Sequence, residues 1–332
     1  MSLLYHGIKA KLWPPTNPIN ASFSGKTIIV TGANTGLGWD AALKFVAQGA
    51  ARIIFAVRSI EKGNAAKIKI ESLTNRRGVV EVWQLDMNSY DSIRSFASRV
   101  DRDIPRLDIA VLNAGVVHTT YATSSYGWER TLQINTLSTT LLALHLLPKL
   151  KASSKTAAST PVLEIVSSTS IYTVAKSLSP TEKASPNLLE AFNYPPFKSQ
   201  PQYAKTKVLI QSVVETLALI VDPKEVIVTS VCPGPCFSDI AREHMTNPII
   251  AAILGFLLLM TFRTTEQGAR TYVSATQQGE RVHGRMWKDD QVQPHAPLLD
   301  GQEGDALRKK AWFDIIDALR KDVPEVVELA KA

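Results

Sequence analysis

The chain has 332 residues, of which 45% are apolar and 20% are charged. This composition is close to the average for globular proteins, and it excludes a disordered, collagen-like or coiled-coil chain. The two cysteines, Cys232 and Cys236, are too few for a disulfide-rich scaffold. Because no other cysteine and no nearby histidine completes a set of four zinc ligands, we expect two ordinary thiols and no metal site.

Basic residues outnumber acidic ones. Lysine and arginine together number 37 against 30 aspartates and glutamates, which gives a formal net charge of +7. Such a balance suits a nucleic acid, an anionic membrane or a small anionic ligand. The basic residues are scattered and form no run of five, so we expect a small anionic ligand and no nucleic acid.

Apolar strand-like runs and helix-like segments alternate between residues 26 and 231. Short runs rich in β-branched residues predict six strands, at 26–31, 52–57, 79–85, 107–112, 162–166 and 226–231. Helical spacing predicts helices between them, at 39–48, 62–73, 89–100, about 129–150 and 202–220. Continuous apolar strands separated by such helices indicate an α/β fold, with a doubly wound parallel sheet covered by helices on both faces.

A glycine-rich turn follows the first predicted strand. Glycine allows a tight turn and a close approach of the backbone to a ligand. The start of the next helix offers free N–H groups and the positive end of its dipole to a pyrophosphate. The spacing G-x-x-x-G-x-G, from Gly32 to Gly38, differs from the usual G-x-G-x-x-G fingerprint. A purely structural turn would also need glycines, but the position after the first strand favours a nucleotide site.

The end of the second predicted strand indicates which dinucleotide is bound. NAD-binding proteins place a carboxylate near this point, where it binds the ribose hydroxyls. Here Val57 is followed by Arg58, whose guanidinium suits a 2′-phosphate through charge-assisted hydrogen bonds. We therefore predict NADP(H) rather than NAD(H); the alternative is that Arg58 is a solvated surface residue.

A candidate catalytic group lies at the start of the last predicted helix. Tyr203 and Lys207 are four residues apart, so they share one helix face. A free tyrosine has a pKa of about 10, and a neighbouring ammonium group is expected to lower that pKa and help proton exchange. Ser168 follows the fifth strand, at the edge of the sheet where ligands bind, and its hydroxyl can donate to a substrate oxygen.

Taken in chain order, these motifs resemble the short-chain dehydrogenase/reductase family. The matching segments are TGANTGLG at 31–38, Asp86, NAG at 113–115, Asn135, Ser168, YAKTK at 203–207 and Pro233-Gly234. The resemblance covers about residues 25–240 and is specific because all the motifs occur in the family's order. The TGANTGLG form and the C-terminal tail are most similar to the retinol-dehydrogenase-like and fungal secondary-metabolism members.

The resemblance implies roles for four catalytic residues. Ser168 would bind the substrate oxygen, and Tyr203 would be the acid/base. Lys207 would lower the pKa of Tyr203 and bind the nicotinamide ribose, while Asn135 would hold a water that relays protons. Asp86 would accept from the adenine amino group, and Asn113-Ala114-Gly115 would line the adenine ribose. Pro233-Gly234 and the residues after it would clamp the nicotinamide carboxamide. The implied cofactor-binding residues are Gly32, Asn34, Thr35, Gly36, Leu37, Gly38, Arg58, Asp86, Met87, Asn113, Ala114, Gly115, Tyr203, Lys207, Pro233, Gly234 and Ser238.

The sequence departs from the short members of the family at three places. Ser168 and Tyr203 are 35 residues apart, so the proline-rich segment between them must loop out and return. Ser238 stands in for a threonine that often follows Pro-Gly. Residues 249–262 form an uncharged stretch of fourteen residues. A helix of that length is about 21 Å long, too short to span a hydrocarbon core of about 30 Å. The alternatives are a lid over the substrate, a subunit contact or a contact with a membrane surface.

Together these observations predict a single Rossmann-like domain at 25–332, after an N-terminal extension at 1–24. It would carry an insertion at 172–201, a substrate lid at 239–283 and a C-terminal extension at 284–332. The expected reaction is NADP(H)-dependent interconversion of a ketone or aldehyde and an alcohol.

The apolar stretch favours a hydrophobic substrate, such as a polyketide, a terpenoid or a retinoid. A net isomerase or epimerase and a non-catalytic NADP(H)-binding scaffold are the alternatives. We expect a cytoplasmic protein. Peripheral contact with an intracellular membrane through 249–262 and assembly into a homo-oligomer are both left open.

Overall fold

The computed structural model describes residues 10–174, 180–193, 199–236 and 261–331. Its centre is one eight-stranded sheet in the order β3-β2-β1-β4-β5-β6-β7-β8, with every neighbouring pair parallel except β7 and β8. The strands are β1 Thr27–Thr31, β2 Arg52–Val57, β3 Val80–Gln84, β4 Ile109–Leu112, β5 Val162–Val166, β6 Ile227–Val231, β7 Met286–Lys288 and β8 Gln291–Val292.

Helices connect the strands. In chain order they are α1 Gly36–Ala47, α2 Ile60–Thr74, α3 Tyr90–Asp103, α4 Arg130–Leu132, a π-helical turn Gln133–Ser138, α5 Thr139–Ser154, α6 Pro180–Ala184, α7 Leu188–Phe192, α8 Ser199–Ile220, α9 Thr265–Ala275, α10 Gly301–Leu319 and α11 Val326–Leu329. Short 3₁₀ turns lie at Thr169–Tyr172, Gly279–Val282 and Pro297–Leu299.

The sheet is buried on both faces because successive strand residues point to opposite sides. In β1, Ile28 and Val30 join a core formed with α1, α2 and α9, whereas Ile29 joins the core on the other face with α3, α5, α8 and α10. All five residues of β6 are buried. This two-sided burial is typical of a parallel sheet, and it confirms the predicted doubly wound α/β fold.

The sheet extends beyond the six predicted strands. The chain from residue 284 onward, which was predicted only as an extension, supplies β7 and β8. β7 pairs with β6 through Ser230↔Met286 and Val231↔Trp287. A three-residue strand is too short to give a periodic pattern, which explains why the sequence did not predict it.

Part of the predicted lid at 239–283 is a core helix. Helix α9 begins with a capping box. The Thr264 hydroxyl accepts a hydrogen bond from the Gln267 N–H, and the Gln267 side-chain oxygen accepts one from the Thr264 N–H. Its residues Ala269, Tyr272 and Val273 are fully buried in the core beside α1. Residues 265–275 therefore form a core helix, while Ser238 and residues 249–260 lie outside the described residues.

The long helix predicted at 129–150 is interrupted. It begins at Arg130, widens into the π-helical turn at 133–138 and continues as α5 to Ser154. A π-helical turn inserts one extra residue and often marks a functional site. The apolar spacing of this segment does not reveal the turn.

The C-terminal helix α10 packs against α8 and α7. The Asp314 carboxylate accepts a 2.8 Å hydrogen bond from the backbone N–H of Leu188, so the C-terminal segment holds the described part of the 172–201 segment in place. In the part of the chain that the structure describes, no helix combines the length and apolar character needed to cross a bilayer.

Candidate active site

The glycine-rich turn joins the end of β1 to α1. Gly32 and Gly36 have φ values of +65° and +60°, which L side chains rarely adopt. A Cβ atom on Gly38 would lie 2.6 Å from the Asn113 side-chain nitrogen. A methyl group on Gly36 would meet no atom closer than 4.0 Å, so this residue borders open space. The three glycines therefore allow the turn and the close packing beneath it.

The end of β4 is fixed to the same turn. The side-chain amide of Asn113 donates to the Thr31 carbonyl oxygen at 2.8 Å, and the Ala114 N–H donates to Thr31 Oγ1 at 2.8 Å. Tyr272 on α9 donates from its hydroxyl to Asn113 Oδ1 at 3.1 Å. Sequence reasoning missed Tyr272, because the helix that carries it was not predicted.

A cavity of about 390 Å³ opens above these strand ends. It brings together most of the residues predicted to bind a cofactor, whereas Gly38 packs beneath the turn. The predicted residues that line it are Gly32, Asn34, Thr35, Gly36, Leu37, Arg58, Asp86, Met87, Asn113, Ala114 and Gly115. A glycine turn at a helix start, facing a cavity of this size, fits the pyrophosphate of a dinucleotide.

Two basic side chains line one end of this cavity. Arg58 is exposed, and no carboxylate among the described residues pairs with it. Lys62 lies one turn into α2, whose start is capped by Ser59 through the Lys62 N–H at 3.3 Å. The sequence analysis singled out Arg58 alone; the four-residue spacing from Arg58 to Lys62 was the signal that could have added the lysine.

Asp86 follows β3 at the neighbouring edge of the cavity. Its Oδ1 accepts hydrogen bonds from the backbone N–H and the side-chain amide of Asn88, both at 2.9 Å. Its own N–H donates to Ser92 Oγ at 2.9 Å. These bonds hold the carboxylate at a fixed place on the cavity wall.

Three predicted catalytic residues meet where β5 ends and α8 begins, and none of them is among the residues that line the cavity. The hydroxyl groups of Ser168, which follows β5, and Tyr203, on α8, are hydrogen-bonded to each other. Lys207 places Nζ 5.5 Å from the centre of the Tyr203 ring and donates to the Val166 carbonyl oxygen at 2.7 Å. The fold thus brings Ser168 and Tyr203 into contact although they are 35 residues apart in the sequence.

Burial dominates the protonation of this group. It raises the pKa of the Tyr203 phenol, with a further rise from Cys232, while the hydrogen bond with Ser168 acts in the opposite direction. Burial lowers the pKa of Lys207 to about 8, and Cys232 partly offsets this. The direction for Tyr203 is opposite to the predicted one. A raised pKa keeps the phenol protonated at neutral pH, which is the state that a proton donor needs.

Asn135 lies in the π-helical turn. Its Oδ1 accepts from the Val116 N–H at 2.9 Å, and its Nδ2 donates to the Val116 carbonyl oxygen at 2.9 Å and to Thr206 Oγ1 at 3.3 Å. A Cβ on Gly115 would lie 3.2 Å from Asn135 Oδ1. Asn135 therefore joins the β4 loop, which lines the cavity, to the helix of Tyr203. Its predicted role in proton relay stays a prediction.

Sequence reasoning also missed a buried contact beside Tyr203. Glu129 caps α4 by accepting from the N–H groups of Thr131 and Leu132 at 2.8 and 2.9 Å. Gln202 donates from its side chain to Glu129 at 2.9 Å. This contact fixes the start of α8 against α4, and no local motif announces it, since the two residues are 73 positions apart.

The loop after β6 contains Pro233 and Gly234, two of the predicted cofactor-binding residues, and Gly234 has a φ of +78°. Ser238, which was also predicted to bind the cofactor, lies outside the described residues.

Comparison with known proteins agrees with this arrangement. A family model described as short chain dehydrogenase matches residues 26–178. The short-chain dehydrogenase/reductase phmF of Phaeosphaeria nodorum is 42% identical over 316 residues, which cover 94% of this chain and 91% of that protein. The short-chain dehydrogenase/reductase ffsI of Aspergillus flavipes is 40% identical and covers 95% of this chain and 92% of that protein.

Solved structures share the fold. A short-chain type dehydrogenase/reductase from Mycobacterium marinum superposes with a TM-score of 0.60 at 18% identity, over 80% of this chain and 94% of that one. The Pseudomonas aeruginosa RhlG/NADP active-site complex gives a TM-score of 0.59 at 20% identity, over 80% and 94% of the two chains. The identity of about 40% with the fungal proteins over nearly the whole length shows common family membership as well as a common fold. This chain belongs to the short-chain dehydrogenase/reductase family of oxidoreductases.

Proposed function

We propose that the protein reduces a ketone or aldehyde to an alcohol on a hydrophobic small molecule, or catalyses the reverse oxidation, with NADP(H) as its cofactor. The observation that supports this most strongly is the meeting of Ser168, Tyr203 and Lys207 in a fold that also forms a cavity lined by the glycine turn. A binding scaffold would not need a protonated phenol, a hydroxyl and a buried ammonium in one place.

The preference for NADP(H) follows from Arg58 and Lys62. Both line the cavity next to the end of β2, where a carboxylate would favour NAD(H). The positive charges of Arg58 and Lys62 repel each other. A ligand group with two negative charges, such as the 2′-phosphate of NADP(H), would offset this repulsion and accept hydrogen bonds from both side chains.

The group of Ser168, Tyr203 and Lys207 acts on the substrate oxygen. Bound NADPH would supply the hydride to the carbonyl carbon. Ser168 and Tyr203 would donate hydrogen bonds to the carbonyl oxygen and stabilise the negative charge that develops there. Tyr203 would pass its proton to that oxygen, and the Lys207 ammonium would stabilise the phenolate left behind.

The proposal of a hydrophobic substrate, such as a polyketide, a terpenoid or a retinoid-like molecule, is supported by the sequence alone. The uncharged stretch at 249–262 follows closely on the Pro233-Gly234 loop. Its first twelve residues lie outside the described residues.

One experiment tests the proposal directly. The purified protein is titrated with NADPH and NADH, and then the consumption of each is followed with a panel of apolar ketones and aldehydes. We expect tighter binding of NADPH and turnover with at least part of the panel. Binding of NADPH without turnover of any carbonyl compound would favour a scaffold, and equal binding of both cofactors would contradict the assignment of Arg58 and Lys62.

A further inference from the structure

Arg263, just before α9, is an unusual arginine because its side chain is only 1% exposed. Its guanidinium forms a 2.6 Å ion pair from Nη1 to the carboxylate of Asp289. The three nitrogens also donate to carbonyl oxygens: Nε to Ala10 at 2.7 Å, Nη1 to Pro233 at 3.2 Å and Nη2 to Trp13 at 3.2 Å. A buried charge is costly unless it is paired and hydrogen-bonded, and these four partners meet that need.

The guanidinium lies directly against the Pro233-Gly234 loop. A Cβ atom on Gly234 would be 2.6 Å from Arg263 Nη1, so only glycine leaves room for this contact. The Arg263 N–H also donates to the Pro235 carbonyl oxygen at 2.8 Å, and Cys236 forms a parallel bridge with Arg263. Both the side chain and the backbone of Arg263 therefore determine where this loop lies.

The same guanidinium anchors the N-terminal strap, which we define as residues 10–18. Three side chains from α1, from the residue that follows it and from α9 also donate to the strap: Arg270 to the Pro15 carbonyl oxygen at 3.2 Å, Lys44 to Asn17 Oδ1 at 3.1 Å, and Gln48 to the Pro18 carbonyl oxygen at 2.7 Å. Part of the predicted N-terminal extension thus packs against the loop that follows β6.

The turn between β7 and β8 completes the anchor. Asp289 and Asp290 have φ values of +50° and +57°, in the left-handed region that most residues avoid. This turn directs Asp289 to Arg263 and to Lys288, and it directs Asp290 to the N–H of Thr16 at 2.8 Å. A two-residue turn between Lys288 and Gln291 needs positive φ at both of its central residues, and aspartate tolerates this conformation.

We propose that Arg263 is a positioning residue for the reaction: its guanidinium and its backbone fix the Pro233-Gly234 loop, and through that loop they fix the nicotinamide half of the cofactor. Arg263 itself is not among the residues that line the cavity. This inference rests on the proposed function, because it assigns the loop to the nicotinamide end. It predicts that the loss of Arg263 affects one half of the dinucleotide and leaves the binding of the other half intact.

The test compares Arg263→Met with wild type, using two probes in titration calorimetry. NADPH needs both ends of the site, whereas adenosine 2′,5′-bisphosphate needs only the adenine end. Methionine is unbranched and apolar, so the variant fills much of the space without leaving a buried charge on the arginine side. We expect NADPH affinity to fall about tenfold to a hundredfold, as for the loss of charge-assisted hydrogen bonds, with the bisphosphate affinity unchanged.

Arg270→Met is the matched control. It loses a bond to the strap, through Pro15, but Arg270 has no contact with Pro233 or Gly234 among the described residues. We expect its affinity for both probes to match wild type. Asp289→Asn is the second variant, in case Arg263→Met does not fold. It keeps the shape of the side chain that pairs with Arg263 but removes the negative charge. We expect it to weaken the binding of NADPH and to leave the binding of the bisphosphate unchanged.

Several outcomes would overturn the proposal. They are a folded Arg263→Met with wild-type NADPH affinity, an equal loss for both probes, and, where only Asp289→Asn folds, unchanged NADPH affinity in that variant. Failure of the proposed function looks different. If the NADP(H) site is wrong, wild type itself binds neither probe, and if the catalysis is wrong, wild type binds NADPH but turns over no carbonyl compound.

Discussion

Lys207 donates a hydrogen bond from Nζ to the main-chain oxygen of Val166 at 2.7 Å. Val166 is the last residue of β5, two positions before Ser168. The lysine therefore holds α8 against the end of β5, at the point where Ser168 meets Tyr203. This bond gives Lys207 a structural part in building the site, in addition to the charge that it carries.

Tyr203→Phe is expected to abolish most turnover while NADPH still binds. The ring remains, but the proton for the substrate oxygen is lost, and general acid catalysis contributes about 10²- to 10⁴-fold. Steady-state reduction of a ketone and a separate NADPH titration measure the two effects.

Tyr172→Phe is the control for that variant. Its hydroxyl donates to the Pro294 carbonyl oxygen at 2.8 Å and has no contact with Ser168 or Lys207 among the described residues. This variant should turn over at nearly the wild-type rate. Full activity of Tyr203→Phe would remove the phenol from the mechanism.

The rate of carbonyl reduction should fall as the pH rises through about 8. Burial lowers the pKa of Lys207 to about 8, so the ammonium form is present below that pH and is lost above it. Without the positive charge, the phenolate that forms on proton transfer is less stable. The pH dependence of kcat/KM for the carbonyl substrate shows this decline.

Lys207→Arg provides the comparison for the pH profile. The guanidinium keeps its charge throughout the accessible range. The variant is expected to be slower, because the geometry changes, but its reduction rate should show no decline near pH 8. A wild-type profile that stays flat to pH 9.5 would show that the Lys207 ammonium does not govern the reaction.

Arg58→Ala should weaken NADPH about tenfold to a hundredfold and leave NADH nearly unchanged, since a charge-assisted pair contributes about 1.5–3 kcal/mol. Lys62→Ala should act in the same direction, with a smaller effect because the ammonium makes no forked contact. Calorimetric titration with each cofactor gives the comparison.

Lys67→Ala serves as the control for the two cofactor variants. Lys67 lies on the same helix α2, but it pairs with Glu71 at 3.9 Å and lines neither this cavity nor the neighbouring cleft. It should leave both cofactors unaffected. An equal loss of NADPH and NADH in Arg58→Ala would mean that the arginine supports the fold of the β2 end and does not select the 2′-phosphate.

Local patterns were sufficient for the first six strands and for the glycine turn, because each is encoded within about ten adjacent residues. They were insufficient for β7, which has three residues, and for α9, which follows the apolar stretch. The direction of the pKa shift of Tyr203 was predicted wrongly for a related reason. A sequence shows that Lys207 is one helical turn away, but the extent of burial depends on how the whole chain packs around the phenol.

The contacts of Arg263 show the same limit from another side. Its partners Ala10 and Trp13 are 253 and 250 positions away in sequence. No periodicity links such residues, and a single arginine before a capping box looks like a surface residue. The fold had to bring the strap, the loop after β6 and the β7–β8 turn together before a buried charge at this position became favourable.

The last prediction concerns Glu164, which lies in the middle of β5 between Val111 of β4 and Thr229 of β6. Its side chain is fully buried, and neither carboxyl oxygen has a hydrogen-bond partner among the described residues. Burial raises the pKa of this carboxyl well above its ordinary value of 4.5, so the folded protein holds the proton to a higher pH than the unfolded chain does. The unfolded chain releases it, and stability is therefore lost as the pH rises above 4.5.

Glu164→Gln removes that titration. We expect a higher urea midpoint than wild type at pH 8 and little difference at about pH 3.5, a unit below the ordinary pKa, where both states of the wild-type chain largely hold the proton. Glu215→Gln is the control with the opposite sign, because the Glu215 carboxylate contacts Arg308 at 3.5 Å and His295 at 3.5 Å, and its loss should destabilise the protein at pH 8. If Glu164→Gln shifts the midpoint equally at both pH values, the side chain acts through packing, and the proton on Glu164 contributes nothing to the pH dependence of folding.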